Sequence, residues 1–178
     1  MVKYAPEIEK NSRKYKKAVH GSWRMDETYI KVRGKWRYLY RAIDKSGQTV
    51  DFLLTQRRNR AAAWRFFRKA FLQHRMPQTI NIDKSGSNTA AIEVFNKRIS
   101  TPHLRINIRQ NKYLNNIVEQ DHRHIKRVTN PMMGFKKFSS ATATIAGIEL
   151  VNMIKKGQFE FNGIKNLTKA EQFYRMVA

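Results

Sequence analysis

Between Trp23 and Leu54 apolar and polar positions alternate in three runs, 23–32, 35–43 and 48–54, rich in Tyr, Trp, Ile, Val and Phe. A two-residue period of this kind predicts strands. The interruptions between them predict a meander: Arg33-Gly34 is short enough to close a hairpin, and Asp44-Lys45-Ser46-Gly47 ends on a glycine free to take positive φ. The period then lengthens. Ala63, Phe67, Ala70, Phe71 and His74 recur at three- and four-residue spacing within 60–74, with Trp64 widening the face, which predicts a helix ended by Pro77. Thr79-Ile80-Asn81-Ile82 reads as a short strand running into Asp83. Beyond it the pattern predicts a helix over 89–99, a strand over 104–108, a polar turn at Gln110-Asn111, and a helix capped by Asn115 or Asn116 that runs to about Arg127 before Asn130-Pro131 breaks it. A last helix, from about Ser139 to Lys155, turns Ile145, Ile148 and Val151 inward and stops near Gly157, after which no pattern is evident. Three antiparallel strands followed by helix, strand, helix, strand and helices is an α/β order. Trp36, Tyr38 and Tyr40 alternate onto one strand face and are read as core or sheet packing, with no role in a site.

Composition narrows the partner. The chain of 178 residues holds 36 Lys and Arg against 13 Asp and Glu, a formal charge of +23. The basic residues run from Lys3 to Arg175 among apolar positions, so the charge belongs to a folded body and not to a tail. Such an excess repels itself unless a polyanion offsets it, and nucleic acid is the natural candidate. No apolar run approaches a membrane span and no secretory signal opens the sequence, so a cytoplasmic protein without membrane contact is expected. With no cysteine in the sequence, disulfides, thiolate zinc sites and cysteine nucleophiles are excluded.

Where acids are scarce, their positions carry information. Asp26 lies in the first strand and by alternation shares a face with Thr28, Ile30 and Val32, while Glu27 faces the other way. Asp83 stands just past the end of a strand, where open α/β sheets place ligands. Glu119 falls in a helix whose apolar positions are Leu114, Val118 and Ile125. Attack on an anionic phosphodiester needs local positive charge and an activated oxygen, and two magnesium ions about 3.5–4 Å apart can clamp both reacting oxygens. Magnesium takes oxygen ligands and only a few carboxylates, so three acids suffice. An Asp at a strand end is more often a turn former, however, and a helical Glu more often a solvated residue, so spacing alone leaves this triad open.

The segment Trp-Arg-Met-Asp-Glu-Thr-Tyr-Ile-Lys-Val-Arg-Gly-Lys-Trp-Arg-Tyr-Leu-Tyr-Arg-Ala-Ile-Asp, from Trp23 to Asp44, resembles the first acidic motif of the insertion-sequence transposases of family six. Val50-Asp51-Phe52 and Arg57-Arg58-Asn59 resemble the next block, Ile82-Asp83-Lys84 the second acidic motif, and the run from Lys112 to His122 the third. Gly134-Phe135-Lys136 and Ile145-Ala146-Gly147-Ile148-Glu149 continue it, so the resemblance covers roughly Tyr4 to Gly157. It implies a ribonuclease-H-like fold, a mixed sheet of three antiparallel strands and then parallel strands flanked by helices. It also implies a catalytic domain over 21–157, between an N-terminal remnant or linker at 1–20 and a tail at 158–178. Asp26, Asp83 and Glu119 would be the catalytic residues and the ligands of two Mg2+ or Mn2+ ions. Metal-dependent hydrolysis at an element end would free a 3′-hydroxyl, which would then attack target DNA. Lys126, seven positions after Glu119 on the same helix face, would hold DNA phosphate; Lys84 would act similarly, and His122 would steady Glu119 or a phosphate. Asp121 is read as a structural or surface acid. Because two element ends must be joined, a homodimer or higher oligomer on DNA is expected.

Members of that family carry a helix-turn-helix module ahead of the catalytic domain, and Met1 to Pro6 resembles the tail of one. Without such a module, recognition of terminal repeats by a helix in the major groove is not expected of this polypeptide. That leaves a second reading, a truncated DNA-binding or dimerising remnant that interferes with a full-length transposase. A third, a basic RNA-binding protein, rests on charge alone.

Overall fold

The computed structural model describes residues 4–164 and 166–177, which fall into two compact units. The sheet unit takes residues 19–30 and 36–123, and the helical unit takes the described residues of 1–18, 31–35 and 124–178.

The meander read from alternation is present as β1 (Ser22–Val32), β2 (Lys35–Asp44) and β3 (Thr49–Thr55). Its second turn is built by Asp44, whose carboxylate accepts from the amides of Ser46 and Gln48, with Gly47 at φ 79°. Two short strands complete a five-stranded sheet in the order β3-β2-β1-β4-β5, with β4 (Thr79–Asn81) parallel to β1 and β5 (Asn107–Arg109) parallel to β4. Trp23 and Met25 of β1, Tyr40 and Ala42 of β2 and Ile80 of β4 point to one face. There they meet α2 (Arg60–Gln73) and α3 (Gly86–Asn96), with Tyr40 stacked on Phe66 at 5.8 Å between ring centres. Residues of the opposite parity point the other way. Arg41, fully buried on that face, pairs at 2.8 Å with Asp121 at the end of α4 (Lys112–Asp121), so the acid read as structural or surface is structural.

In the helical unit, α1 (Ala5–Ser12), α6 (Phe138–Lys155) and α7 (Lys169–Val177) pack on one another, and α5 (Arg123–Thr129) joins α6 through His124 and the fully buried Glu149. The hairpin tip at Arg33-Gly34 belongs here as well. Phe135 donates to the Lys31 carbonyl and accepts from the Arg33 amide, both at 2.8 Å. Gly134 allows that approach: its φ is 109°, and a Cβ there would lie 3.1 Å from the Lys31 carbonyl oxygen. Among the described residues no helix is long and apolar enough to cross a membrane.

Several boundaries differ from the sequence pattern. α2 ends at Gln73, with the His74 amide still bonded to Ala70, so the chain leaves the helix before Pro77 is reached. α3 begins three residues earlier than predicted, at Gly86, and ends at Asn96. Pro102–Leu104 forms a 3-10 turn with Leu104 exposed, which leaves β5 only three residues. The helix expected to run to Arg127 is capped by Asn111, whose side chain accepts from the Tyr113 amide, and is interrupted at His122, giving α4 and α5. Asn115 is therefore no cap; it is buried and bonded to Asn81. On α6, Ile145 is buried but Val151 is 46% exposed, because the inward face instead follows Ala146, Glu149, Leu150 and Met153. Of the three aromatics read as packing, Tyr40 is buried, whereas Trp36 is 60% exposed and packs edge-on against Tyr29.

Candidate active site

Three acids of the sheet unit meet near the β1–β4 boundary. Asp26 and Glu27 are neighbours on β1 and, as alternation requires, leave it on opposite faces: Glu27 continues the buried row of Trp23 and Met25, and Asp26 is half-buried among Arg24 and Thr28. Asp83 comes off the end of β4, two residues beyond Asn81. Its Oδ1 accepts from the Ser85 amide at 3.2 Å, which fixes the turn into α3. One carboxylate oxygen from each of Asp26, Glu27 and Asp83 lies within 4.8 Å of the others, an arrangement able to hold a metal ion. The expected triad thus has two of its members in this group together with an acid that the sequence reading left out.

Glu119, the third expected member, lies outside that group and is exposed on α4. Its helix is tied to the same strands. Asn81 donates to the Asn111 carbonyl at 2.9 Å and to the Asn115 side-chain oxygen, and Asn115 reaches the Met25 carbonyl at 3.5 Å. Residues four apart lie one above the other on a helix, so the row that carries Asn115 toward β1 and β4 also carries Glu119. Its charge is felt at Asp26, whose pKa rises from 3.8 to about 7. Burial is the largest cause, followed by repulsion from Glu27, with Glu119 and Asp83 adding to it and a hydrogen bond from the Glu27 amide opposing it. Three like charges converging on one carboxylate favour a proton or a cation there.

Glu27 is held differently. Arg58, just ahead of the Asn59 cap of α2, places Nε 3.2 Å from Glu27 Oε1, and Asn88 of α3 donates to the same oxygen at 3.2 Å. Burial raises the Glu27 pKa, and the Arg58 charge and the Asn88 bond pull it back. Arg58 Nη2 also donates to Asp83 Oδ2 at 2.9 Å. Burial works against the Arg58 charge, yet Glu27 and Asp83 together hold its pKa above the ordinary value.

The remaining expected residues are distributed. Lys84 is exposed beside Asp83. His122 is buried, with Nδ1 3.8 Å from Asp26 Oδ2. Lys126 lies on α5 in the helical unit, and the break at His122 removes the single continuous helix on which its alignment with Glu119 was argued. Glu27 and Arg58 were missed as site residues. The available signal was an acid on the inward parity of an apolar strand, which demands a buried cation or donor.

Residues 20–158 match the DDE domain family of IS240-type transposases. A transposase for the insertion sequence-like element IS431mec of Staphylococcus aureus is 39% identical over 155 residues, 86% of this chain and 66% of that protein. The transposase of insertion sequence IS257 in transposon Tn4003, also from Staphylococcus aureus, matches to the same extent. The chain therefore spans 66% of the length of these relatives. Among solved structures, the catalytic core domain of the HTLV-2 integrase in complex with magnesium superposes with a TM-score of 0.56 at 14% identity, covering 89% of this chain and 99% of that one. The catalytic core of BIV integrase gives 0.54 at 19% identity, covering 87% and 94%. The mixed sheet is thus that of ribonuclease-H-like integrase and transposase cores. With a family match over most of its length and a carboxylate cluster at the β1–β4 boundary, the chain belongs to the DDE transposase domain family.

Proposed function

We propose that this chain cleaves DNA strands at the ends of an insertion sequence and transfers them to target DNA, with Asp26, Asp83 and Glu119 holding two magnesium or manganese ions. The observation that carries this reading is the grouping of Asp26 and Asp83 with Glu27, one carboxylate oxygen from each within 4.8 Å of the others. Burial chiefly raises the Asp26 pKa to about 7, and Glu27, Glu119 and Asp83 add to it. Their donors are all carboxylate oxygens, the set a hard divalent cation prefers. Bound there, such ions would supply positive charge to the scissile phosphate and lower the pKa of a water or hydroxyl. Asp26 would take the central place, Asp83 and Glu119 the flanks, and the buried His122 ring would limit how far Asp26 can turn. Lys84, exposed beside Asp83, and Lys126 would contact DNA phosphates, consistent with a formal charge of +23. The expected domain limits, 21–157, enclose these residues; work in the bacterial cytoplasm, as at least a dimer on DNA, completes the reading.

Asp26→Asn, Asp83→Asn and Glu119→Gln should each reduce Mg2+-dependent nicking and strand transfer to background, while duplex binding keeps its affinity and its dependence on salt. Full strand transfer by any one of the purified variants overturns the assignment of that residue and, with it, the shared site.

A further inference from the structure

Glu27 lies among the candidate ligands without the freedom of one. Its side chain is 3% exposed, Oε1 is taken by Arg58 Nε and by Asn88, and Oε2 faces Arg58 Nη2 at 3.5 Å. Turning toward a cation would strip these bonds from a buried carboxylate, a change that costs far more than making them gained. Asp83 is the opposite case: its side chain is 42% exposed and stands at the end of a three-residue strand. Its Oδ2 is nevertheless fixed by Arg58 Nη2 at 2.9 Å, and its Oδ1 by the Ser85 amide. Arg58 can do this because Glu27 grips the same guanidinium from the interior, with the Asn59 cap of α2 fixing the next residue of its backbone.

We infer that Glu27 and Arg58 form a positioning pair: the buried glutamate braces the arginine, and the arginine orients the Asp83 carboxylate for a divalent cation. The inference rests on reading Asp83 as a metal ligand. A carboxylate that meets a metal is commonly oriented by an outer hydrogen-bond donor, and loss of such a donor weakens metal binding by about 10–100-fold. A guanidinium suits this task because its fork can serve two carboxylates in one fixed plane, which a lysine ammonium cannot. The rival explanation gives Arg58 only a charge to contribute, a cation neutralising nearby acids. Under that explanation its removal tightens binding of a divalent ion, since one repulsive charge is gone.

Removing both partners together separates the two, because Glu27→Gln with Arg58→Gln leaves the net charge unchanged. Mn2+ binding to the metal-free chain, followed by calorimetry, should weaken about tenfold in this double variant. Binding within twofold of the unaltered chain overturns the inference. Where the double variant fails to show a cooperative melt, Arg58→Lys decides: a smaller loss of Mn2+ affinity supports the pair, and unchanged or tighter binding overturns it. Asp83→Asn is measured alongside. If it binds Mn2+ normally, the metal reading of Asp83 fails and this inference with it; if it loses Mn2+ while the double variant does not, only the positioning pair fails.

Discussion

Glu27 in the sheet unit and Glu149 in the helical unit are both buried glutamates, and they are stabilised in contrasting ways. Glu149, in the middle of α6, faces His124 of α5 at 3.4 Å, an arrangement that fastens one helix to the next. Glu27 faces Arg58, but Arg58 is shared with Asp83. A buried acid needs a donor in either case. A shared donor also couples the buried acid to the exposed one, so the interior of the sheet unit is wired to the rim of its site, whereas the Glu149 contact ends within its own unit.

The largest expected effect that breaks this comparison comes from pH. Asp26 is raised from 3.8 to about 7, chiefly by burial and then by Glu27, with Glu119 and Asp83 behind. A folded-state pKa above the unfolded one means that the folded chain holds the proton more tightly. The stabilisation is complete below about pH 4 and is lost as pH rises through about 7, with an upper bound of about 4 kcal/mol. Asp26→Asn removes that slope. Urea unfolding of the metal-free chain at pH 5 and pH 8 should therefore show the unaltered protein losing stability relative to the variant, and Mn2+ at pH 8 should restore part of it. Parallel pH profiles for the two proteins would show that Asp26 is not buried among the other acids as the structure has it.

A smaller effect is expected in the helical unit. His124→Ala withdraws a neighbour of the buried Glu149 and should destabilise the chain by about 1–3 kcal/mol, read by denaturant unfolding. Its Mn2+ affinity should stay that of the unaltered chain, because the His124–Glu149 contact lies in the helical unit and the acids around Asp26 in the sheet unit. A matching loss of Mn2+ binding would erase the distinction drawn between the two glutamates.

What could be read from the sequence follows from what is local. The strands from Trp23 to Leu54, α2, and the positions of Asp26, Asp83 and Glu119 all depend on short-range periodicity or on a few residues in a row, and the first two are present in the fold as expected. Asp26 and Asp83 are brought together, and Glu119 acts on Asp26 through its charge. The Glu27–Arg58 pair was not legible, because it joins residues 31 apart and appears only when β1 and the start of α2 are side by side. Alternation correctly sent Glu27 to the other face and so argued against its meeting Asp83. Likewise Asn111 and Asn115 both sit where a cap is plausible, and only the burial of Asn115 against Asn81 assigns their roles. The interruption at His122 has no Gly or Pro to announce it.

The smallest effect expected is at that cap. Asn111 accepts from the Tyr113 amide at 3.0 Å at the start of α4, whereas Asn116, the alternative cap of the sequence pattern, is exposed inside the helix. Losing a capping side chain costs about 1 kcal/mol, or roughly 2–4 °C in the melting temperature of a chain this long. An exposed position away from such a feature changes stability by less than about 0.5 kcal/mol. Asn111→Ala should therefore lower the melting temperature measurably and Asn116→Ala should not. Asn115→Ala should exceed both, since it takes from the buried Asn81 amide one of its two acceptors, leaving only the Asn111 carbonyl. The order matters for Glu119. A helix held mainly by its cap would fray from the Asn111 end, but one held by the Asn81–Asn115 bond is fixed one turn before Glu119. If Asn111→Ala proved the more damaging of the two, the hold on Glu119 would have to be sought in the first turn of α4 and not in its contact with the sheet.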